Sequence, residues 1–554
     1  MDEILYKSGS QQGQGKSFVF NHKQWIEVVD NNGKNYNSRR VNWDLANIAN
    51  SGQDFFNVKE SLVQIPLVLD VEFTSGTAAN SMLETATNSV SSQFVASLKS
   101  GSYNIINAIN YKINGNEVIT FDRVENMKIN YEVISRWSKD TLSKKGADMY
   151  FGFDEAHSYT YNDTRGVTNT ALKDTASVFD ATKGFSVKSN SGRLERMKTL
   201  LNYDVAPYSN FYDNASQRSK NNDYVSVGAF SNVTGKQTIT YFIMAQFRLS
   251  DLHPLFQEMP LTKNISQYLS LELNTDTELT FTVANKVITG VAATNETNCL
   301  PYQVSNVDDG LNLLAAGTSG TFKTCLSVGR GKYSNLAHNR ESAYIQACFV
   351  RMNADYGEKY LSNPVRSIVY NECYAQFGTG FSGIASGAQV NQLISGSFRK
   401  LRKLVIIPFV DRTSNGTIEL APEKSPFASE PSTCSHSLGA MDNFNVRIGT
   451  QNVYPSNLLY DWEQFTNEVQ PDNALNGGVE YELNNGLINK HNWSKCYGFR
   501  VVDLSRIVPE NDLEPKQVTV LFRNTSLRTM NYYVLVYYEK NLGLDVSTGE
   551  LTIV

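Results

Sequence analysis

The sequence predicts an all-β protein of two β-sandwiches in tandem, with short helices and one long loop insertion in the first. Three observations carry this: runs in which every second residue is apolar, a set of blocks that occurs twice in the same order, and a composition rich in aromatics and poor in charge. Tyr (29) and Phe (28) are plentiful while only 19% of residues are charged, a balance suited to broad half-buried sheets rather than long solvated helices. A chain of 554 residues is too long for one ordinary core.

Residues 1–55 are expected to form an N-terminal arm. The first twenty hold Asp2, Glu3, Lys7 and Lys16 and no basic run. With a net charge of −5, the chain gives no electrostatic reason to expect strong direct nucleic-acid binding, which depends on neutralising phosphates. Ser10 to Ser17 comes close to a phosphate-binding loop, but Ser10 stands where its first glycine belongs and no apolar strand precedes it. No apolar run approaches the roughly 20 residues of a membrane span, and no secretory leader is evident, so a product made inside the cell is expected.

The first sandwich is expected over 56–360. In Val63, Ile65, Leu67, Leu69, Val71 and Phe73 every second residue is apolar, with Gln64, Asp70 and Glu72 between them, which predicts an antiparallel strand with one face inward. Pro66 cannot donate to a sheet ladder and predicts an edge or bulge there. Asn114-Gly115 between apolar residues predicts a hairpin turn. Val124, Met127, Tyr131 and Ile134 then follow helical spacing and predict a helix with one apolar stripe.

The second sandwich is expected over 361–554, after the junction at Asn363-Pro364, and it repeats the first. Leu62-Val63-Gln64-Ile65-Pro66-Leu67-Val68 returns as Leu404-Val405-Ile406-Ile407-Pro408-Phe409-Val410. The hairpin at Tyr111–Val118 returns at Val446–Val453, and each hairpin leads into a helical stripe, the second being Leu458, Trp462, Phe465 and Val469. Phe247-Arg248-Leu249-Ser250-Asp251-Leu252 returns as Phe499-Arg500-Val501-Val502-Asp503-Leu504, followed in both copies by an alternating strand ending in Asn-Thr. The offset between copies is 335 at the hairpin and 252 at the third block, so the first copy holds about 83 more residues between them. They fall in roughly 143–240, a stretch dense in Asn, Ser, Tyr, Asp and Thr, as expected of a surface insertion.

No catalytic, cofactor-binding or metal-binding constellation is expected. The six cysteines (Cys299, Cys325, Cys348, Cys373, Cys434, Cys496) are widely spaced without a CxxC and predict buried free thiols. The six histidines (His22, His157, His253, His338, His436, His491) are scattered, and Cys434 with His436 does not by itself make a nucleophile and base. Gly378-Thr379-Gly380-Phe381-Ser382-Gly383 spells GxGxxG but opens no helix, and Asp308-Asp309 lacks the distal glutamate of a calcium loop. Arg399, Lys400, Arg402 and Lys403 form the densest basic run. Two roles fit it: a solvated edge that blocks wrong strand pairing, and a contact to a neighbouring subunit or packaged nucleic acid.

Several of these stretches resemble the double jelly-roll major capsid proteins of polinton-like viruses and virophages: Phe247 to Leu252 with Met259-Pro260-Leu261, Tyr460-Asp461-Trp462-Glu463-Gln464-Phe465, and Asp503-Leu504-Ser505-Arg506. The resemblance runs from about residue 56 onward. It implies two eight-stranded jelly rolls, a homotrimer forming a pseudo-hexagonal capsomer, and an icosahedral virion shell around double-stranded DNA. It further implies minor capsid or penton proteins as partners, an outward tower containing 143–240, and no catalytic residues. A jelly-roll receptor- or carbohydrate-binding protein is the alternative, favoured by the Tyr-rich insertion. A sandwich-fold hydrolase would need paired carboxylates or a histidine cluster, which the spacing does not offer.

Overall fold

The computed structural model describes residues 19–553 apart from 46–53, 76–82, 87–88, 93, 154–224, 228–235, 285–286, 295–298, 307–318, 379–382, 411–440, 470–485, 496, 507–513 and 526–528. Its first half is built on eight strands: β1 (Phe20–Val29), β2 (Arg40–Asp44), β3 (Phe55–Ser75), β4 (Ile106–Ile113), β5 (Asn116–Arg123), β6 (Lys236–Arg248), β7 (Gln267–Leu273) and β8 (Tyr344–Met352). The ladder order is β1-β8-β3-β6 in one sheet and β2-β7-β4-β5 in the other.

The second half repeats this path with β9 (Val365–Phe377), β10 (Gln389–Leu393), β11 (Leu401–Val410), β12 (Met441–Ile448), β13 (Gln451–Asn452), β14 (Arg500–Asp503), β15 (Val518–Asn524) and β16 (Met530–Asp545). Its sheets run β9-β16-β11-β14 and β10-β15-β12-β13. In both halves the strands pair first-eighth-third-sixth and second-seventh-fourth-fifth, all antiparallel. Each half is a jelly roll, and the three repeated blocks fall on its third strand, its fourth-to-fifth hairpin and its sixth strand.

Apolar packing between the sheets explains why these segments are strands. Trp43, Val63, Ile65, Tyr111, Leu269 and Leu271 are buried in the first core, and Val446, Val520, Phe522 and Tyr532 in the second. Phe522 meets Tyr532 edge-on, with ring centroids 5.1 Å apart.

Two expectations about the first half are corrected. Residues 1–55 are not all arm, because β1 and β2 are the first two strands of the first jelly roll. Asp70 and Glu72, expected on an open strand face, are buried. Asp70 accepts hydrogen bonds from the Tyr333 and Ser334 amides (2.7 and 2.9 Å) and from the Ser334 and Thr240 hydroxyls (both 2.8 Å), so it pins a loop over the sheet. Lys236 reaches Glu72 at 2.5 Å.

Pro66 lies on no edge, since β6 pairs along one side of β3 through Pro66. Along the other side β8 pairs up to Gln64, and a further strand, Ser319–Val328, pairs from Leu67 onward. The proline sits where one partner hands over to the other, a gap that requires no amide donor. Pro408 lies beyond the β14 ladder, which ends at Ile406, so among the described residues it is unpaired on that side.

Ser319–Val328 belongs to a second surplus of the first half that the sequence did not reveal. Leu273 to Tyr344 spans the seventh-to-eighth connection, where the second half needs only Asn524 to Met530. Most of the insertion at 143–240 lies outside the described residues.

Candidate assembly surfaces

The two jelly rolls meet through the connection between the fifth and sixth strands of the first. That connection begins with helix α1 (Glu125–Arg136), and β6 is followed by α2 (Leu249–Leu252) and α3 (Pro254–Glu258). Met127, Tyr131 and Ile134 form the expected apolar stripe and are buried. Tyr131 extends this packing to the second half: its ring meets Phe499 edge-on at 5.2 Å and lies 6.2 Å from Tyr537. Lys403 places its Nζ over both tyrosine rings, 5.7 Å from Tyr131 and 4.6 Å from Tyr537.

Charged groups surround this aromatic contact. Lys128 pairs with Glu125 at 3.2 Å and Arg136 with Glu132 at 2.6 Å, and their side chains line a small cleft of about 30 Å³ together with Asp251 and His253. Burial works against the charge on Glu132, but Arg136 and Lys403 outweigh it and hold the carboxyl below its usual range. Burial raises the Asp251 carboxyl, with Lys145 and Arg248 only partly opposing it.

His253 makes a direct polar tie across the seam. As N-cap of α3 its Nδ1 accepts the Leu255 amide at 3.1 Å, so the ring proton sits on Nε2 and is donated to Glu372 Oε1 at 3.0 Å. Glu372, on β9, also accepts from the Tyr370 hydroxyl at 3.3 Å and lies 3.5 Å from Lys540 Nζ. Burial would raise the Glu372 carboxyl, but His253, Lys540 and Lys128 outweigh it and hold it down to about 2.

A second tie lies at the C-terminal turn. Asn114 Nδ2 donates to the Thr548 carbonyl at 2.7 Å, and the Lys263 amide donates to the Val546 carbonyl at 3.0 Å. The hairpin turn recognised in the sequence thus anchors the far end of the second half.

The basic run separates into different roles. Lys400 pairs with Glu539 at 2.9 Å and Arg402 with the same carboxylate, Lys403 is buried in the seam, and Arg399 is exposed. Of the glycine-rich match, Gly378 lies against the Tyr532 ring, where an added Cβ would come within 2.5 Å, so packing accounts for it. Cys299, Cys325, Cys348 and Cys373 are buried free thiols. Cys434, His436, Asp308, Asp309 and Ser10 to Ser17 lie outside the described residues. Among the described residues no group of His, Cys, Asp and Glu could hold a metal ion, and no helix is long and apolar enough to cross a membrane.

Outside the seam, large apolar side chains face solvent on the first strand of each half. Trp25 (49% exposed) and Val29 (52%) project from β1, and Val365 and Val369 from β9. Leu459 (62%) is exposed just before helix α4 (Trp462–Val469), the counterpart of α1 in the second half.

No protein-family model and no curated protein sequence matches the chain. Among solved structures, one of the Sputnik virophage determined by cryo-EM is similar at 12% identity, covering 98% of this chain and 91% of that chain with a TM-score of 0.49. The Faustovirus major capsid protein is similar at 7% identity, with 97% and 93% covered and a TM-score of 0.41. The mavirus major capsid protein is similar at 10% identity, with 99% and 92% covered and a TM-score of 0.36.

Proposed function

We propose that this chain is the major structural subunit of a virion, three copies forming a pseudo-hexagonal capsomer that tiles an icosahedral shell around double-stranded DNA. The observation that carries the reading is the twofold use of one eight-stranded path in a single chain, with the two copies tied by a buried seam. Three such chains supply six similar walls, so one protein can fill a hexagonal lattice position, and closed symmetry limits the assembly. The sequence blocks resembling double jelly-roll capsid proteins support the same reading. The role is mechanical, without catalysis. The two bodies are divided between β8 and β9, and the polar insertion at 143–240 forms part of an outward tower. Minor capsid or penton proteins complete the shell. The genome is held mainly by other components, as the net charge of −5 favours.

Light scattering on a size-exclusion column, followed by negative-stain electron microscopy of the purified chain, tests this. A species of three chains with a hexagonal outline, or closed shells, is the expected result. A stable monomer at high concentration overturns it in favour of a jelly-roll receptor- or carbohydrate-binding protein.

A further inference from the structure

The turn that follows β16 does more than end a strand. Residues Asp545 to Glu550 reverse the chain so that a short strand, Leu551–Ile553, pairs with Leu542–Leu544. The turn is held stiff by its own bonds. Gly549 donates its amide to the Asp545 carbonyl at 2.8 Å, and Asp545 its own to the Glu550 carbonyl at 3.0 Å. The Asp545 carboxylate accepts from the Ser547 amide and hydroxyl (2.8 and 2.7 Å) and from the Thr548 amide (2.9 Å). Its other side crosses to the first jelly roll. Val546 is fully buried; its amide donates to the Pro364 carbonyl at 2.9 Å, just before β9, and its carbonyl accepts from Lys263 at 3.0 Å. The Asn114 carboxamide is held from both sides, Oδ1 accepting the Ser266 amide at 3.1 Å while Nδ2 donates to the Thr548 carbonyl. Gly549 (φ 72°) allows this approach, because an added Cβ would collide with Asn114 Nδ2 and come within 2.8 Å of Ile265.

These contacts lie well away from the His253 tie. On β9, Glu372 holds His253, while Val365, seven positions earlier, pairs with Asp545 at the root of the turn, so the two attachments are about 23 Å apart along one strand. One attachment is a pivot; two fix a direction. The connection between the halves is itself tied to the first, through the Tyr360 hydroxyl on the Leu261 carbonyl at 3.0 Å, with Arg366 at the root of β9 reaching back to the Tyr360 carbonyl at 3.1 Å. Ser362 and Asn363 are exposed between them and form the joint. A contact made of a few hydrogen bonds and one buried side chain can open without unfolding either core. We infer that Asp545 to Glu550 is a strap that closes across the two jelly rolls and fixes the angle between them, and that the closed form is the one that joins other copies. The second clause rests on the proposed capsid role; the first does not.

The test uses the full chain with Asn114→Asp and Gly549→Val made separately. Asn114→Asp keeps the size of the side chain and the acceptor for Ser266 but sets a carboxylate against the Thr548 carbonyl. Gly549→Val adds a side chain where the strap meets Ile265. Hydrogen exchange read by mass spectrometry should be at least about tenfold faster in both variants over 261–266 and 545–549, with peptides from β3 and β15 unchanged. Mass photometry at a fixed concentration should show fewer three-chain species than for the parent. Exchange as slow as in the parent overturns the strap. Faster exchange that extends to β3 and β15 also overturns it, since the turn would then be part of a core. Faster exchange confined to the strap, with three-chain species as abundant as in the parent, overturns its part in assembly. A parent that stays a single chain overturns the capsid reading, and the exchange rates then decide the strap alone.

Discussion

The interiors of the two jelly rolls and the seam between them are built from opposite materials. Each interior is apolar and closely packed, with Trp43, Ile65, Leu271, Val520 and Phe522 at 1% exposure or less. The seam is aromatic at its centre and ionic around it, with Glu125, Lys128, Glu132, Glu372 and Lys403 buried or half-buried together and Arg136 exposed at the rim. Burying apolar surface stabilises wherever it occurs, whereas a buried ion pair recovers through attraction only about what it loses in desolvation. The interiors therefore hold each jelly roll folded, and the seam chiefly fixes how one sits against the other. Charges at set positions penalise a shifted docking that an all-apolar seam would tolerate.

Four measurements break or sharpen that contrast. Trp43→Ala should have the largest effect, costing about 3–5 kcal/mol of stability in urea unfolding, because it leaves a cavity in the first core. Glu372→Ala should cost about 3 kcal/mol, since it strands Lys540 and the His253 proton without their carboxylate, and limited proteolysis should find the seam before either core. Acid should imitate that loss. Glu372 is depressed from 4.5 to about 2, so its contribution is fully present above pH 4.5 and is lost as the pH falls toward 2. The loss is on the order of 2–3 kcal/mol, as Glu132 shifts the same way while Asp251, raised by burial, works in the opposite sense. The smallest effect should come from Glu132→Gln with Lys403→Met. Removing both charges together should change stability by less than about 1 kcal/mol, and a loss as large as that of Trp43→Ala would show that the seam is a core like the others.

The same contrast explains what could be seen in the sequence. Strands facing an apolar interior declared themselves: Val63, Ile65 and Leu67 on β3 and Val518, Val520 and Phe522 on β15 alternate because one side of each meets a core. The hairpin at Asn114-Gly115 was legible because Asn114 (φ 48°) and Gly115 (φ 82°) both occupy the left-handed region. β1 was missed because it is an edge strand in which Val28 alone is fully buried, so Lys23, Gln24 and Glu27 obscure its period. The seam was illegible for a different reason. Glu125, Lys128 and Glu132 look like the solvated side of α1, but residues far along the chain, among them Asp251, His253, Cys373 and Tyr537, close around them. Of the basic run, the sequence could show its density but not that Lys403 points into an aromatic contact while Lys400 and Arg402 share Glu539.

The handover at Pro66 has a consequence in time. Among the described residues the partners of β3 come late: β6 starts at Lys236, and Ser319–Val328 and β8 follow it. At about 5–20 residues per second of synthesis, this 21-residue strand waits roughly 10–30 s for its first partner. During that wait Leu62 to Phe73 is the kind of apolar, β-prone segment that pairs with whatever strand it meets. Pro66 interrupts its ladder, and Asp70 and Glu72 place two charges within it. Residues that in the finished fold mark a change of partner and hold down a loop thus serve the nascent chain as guards against aggregation.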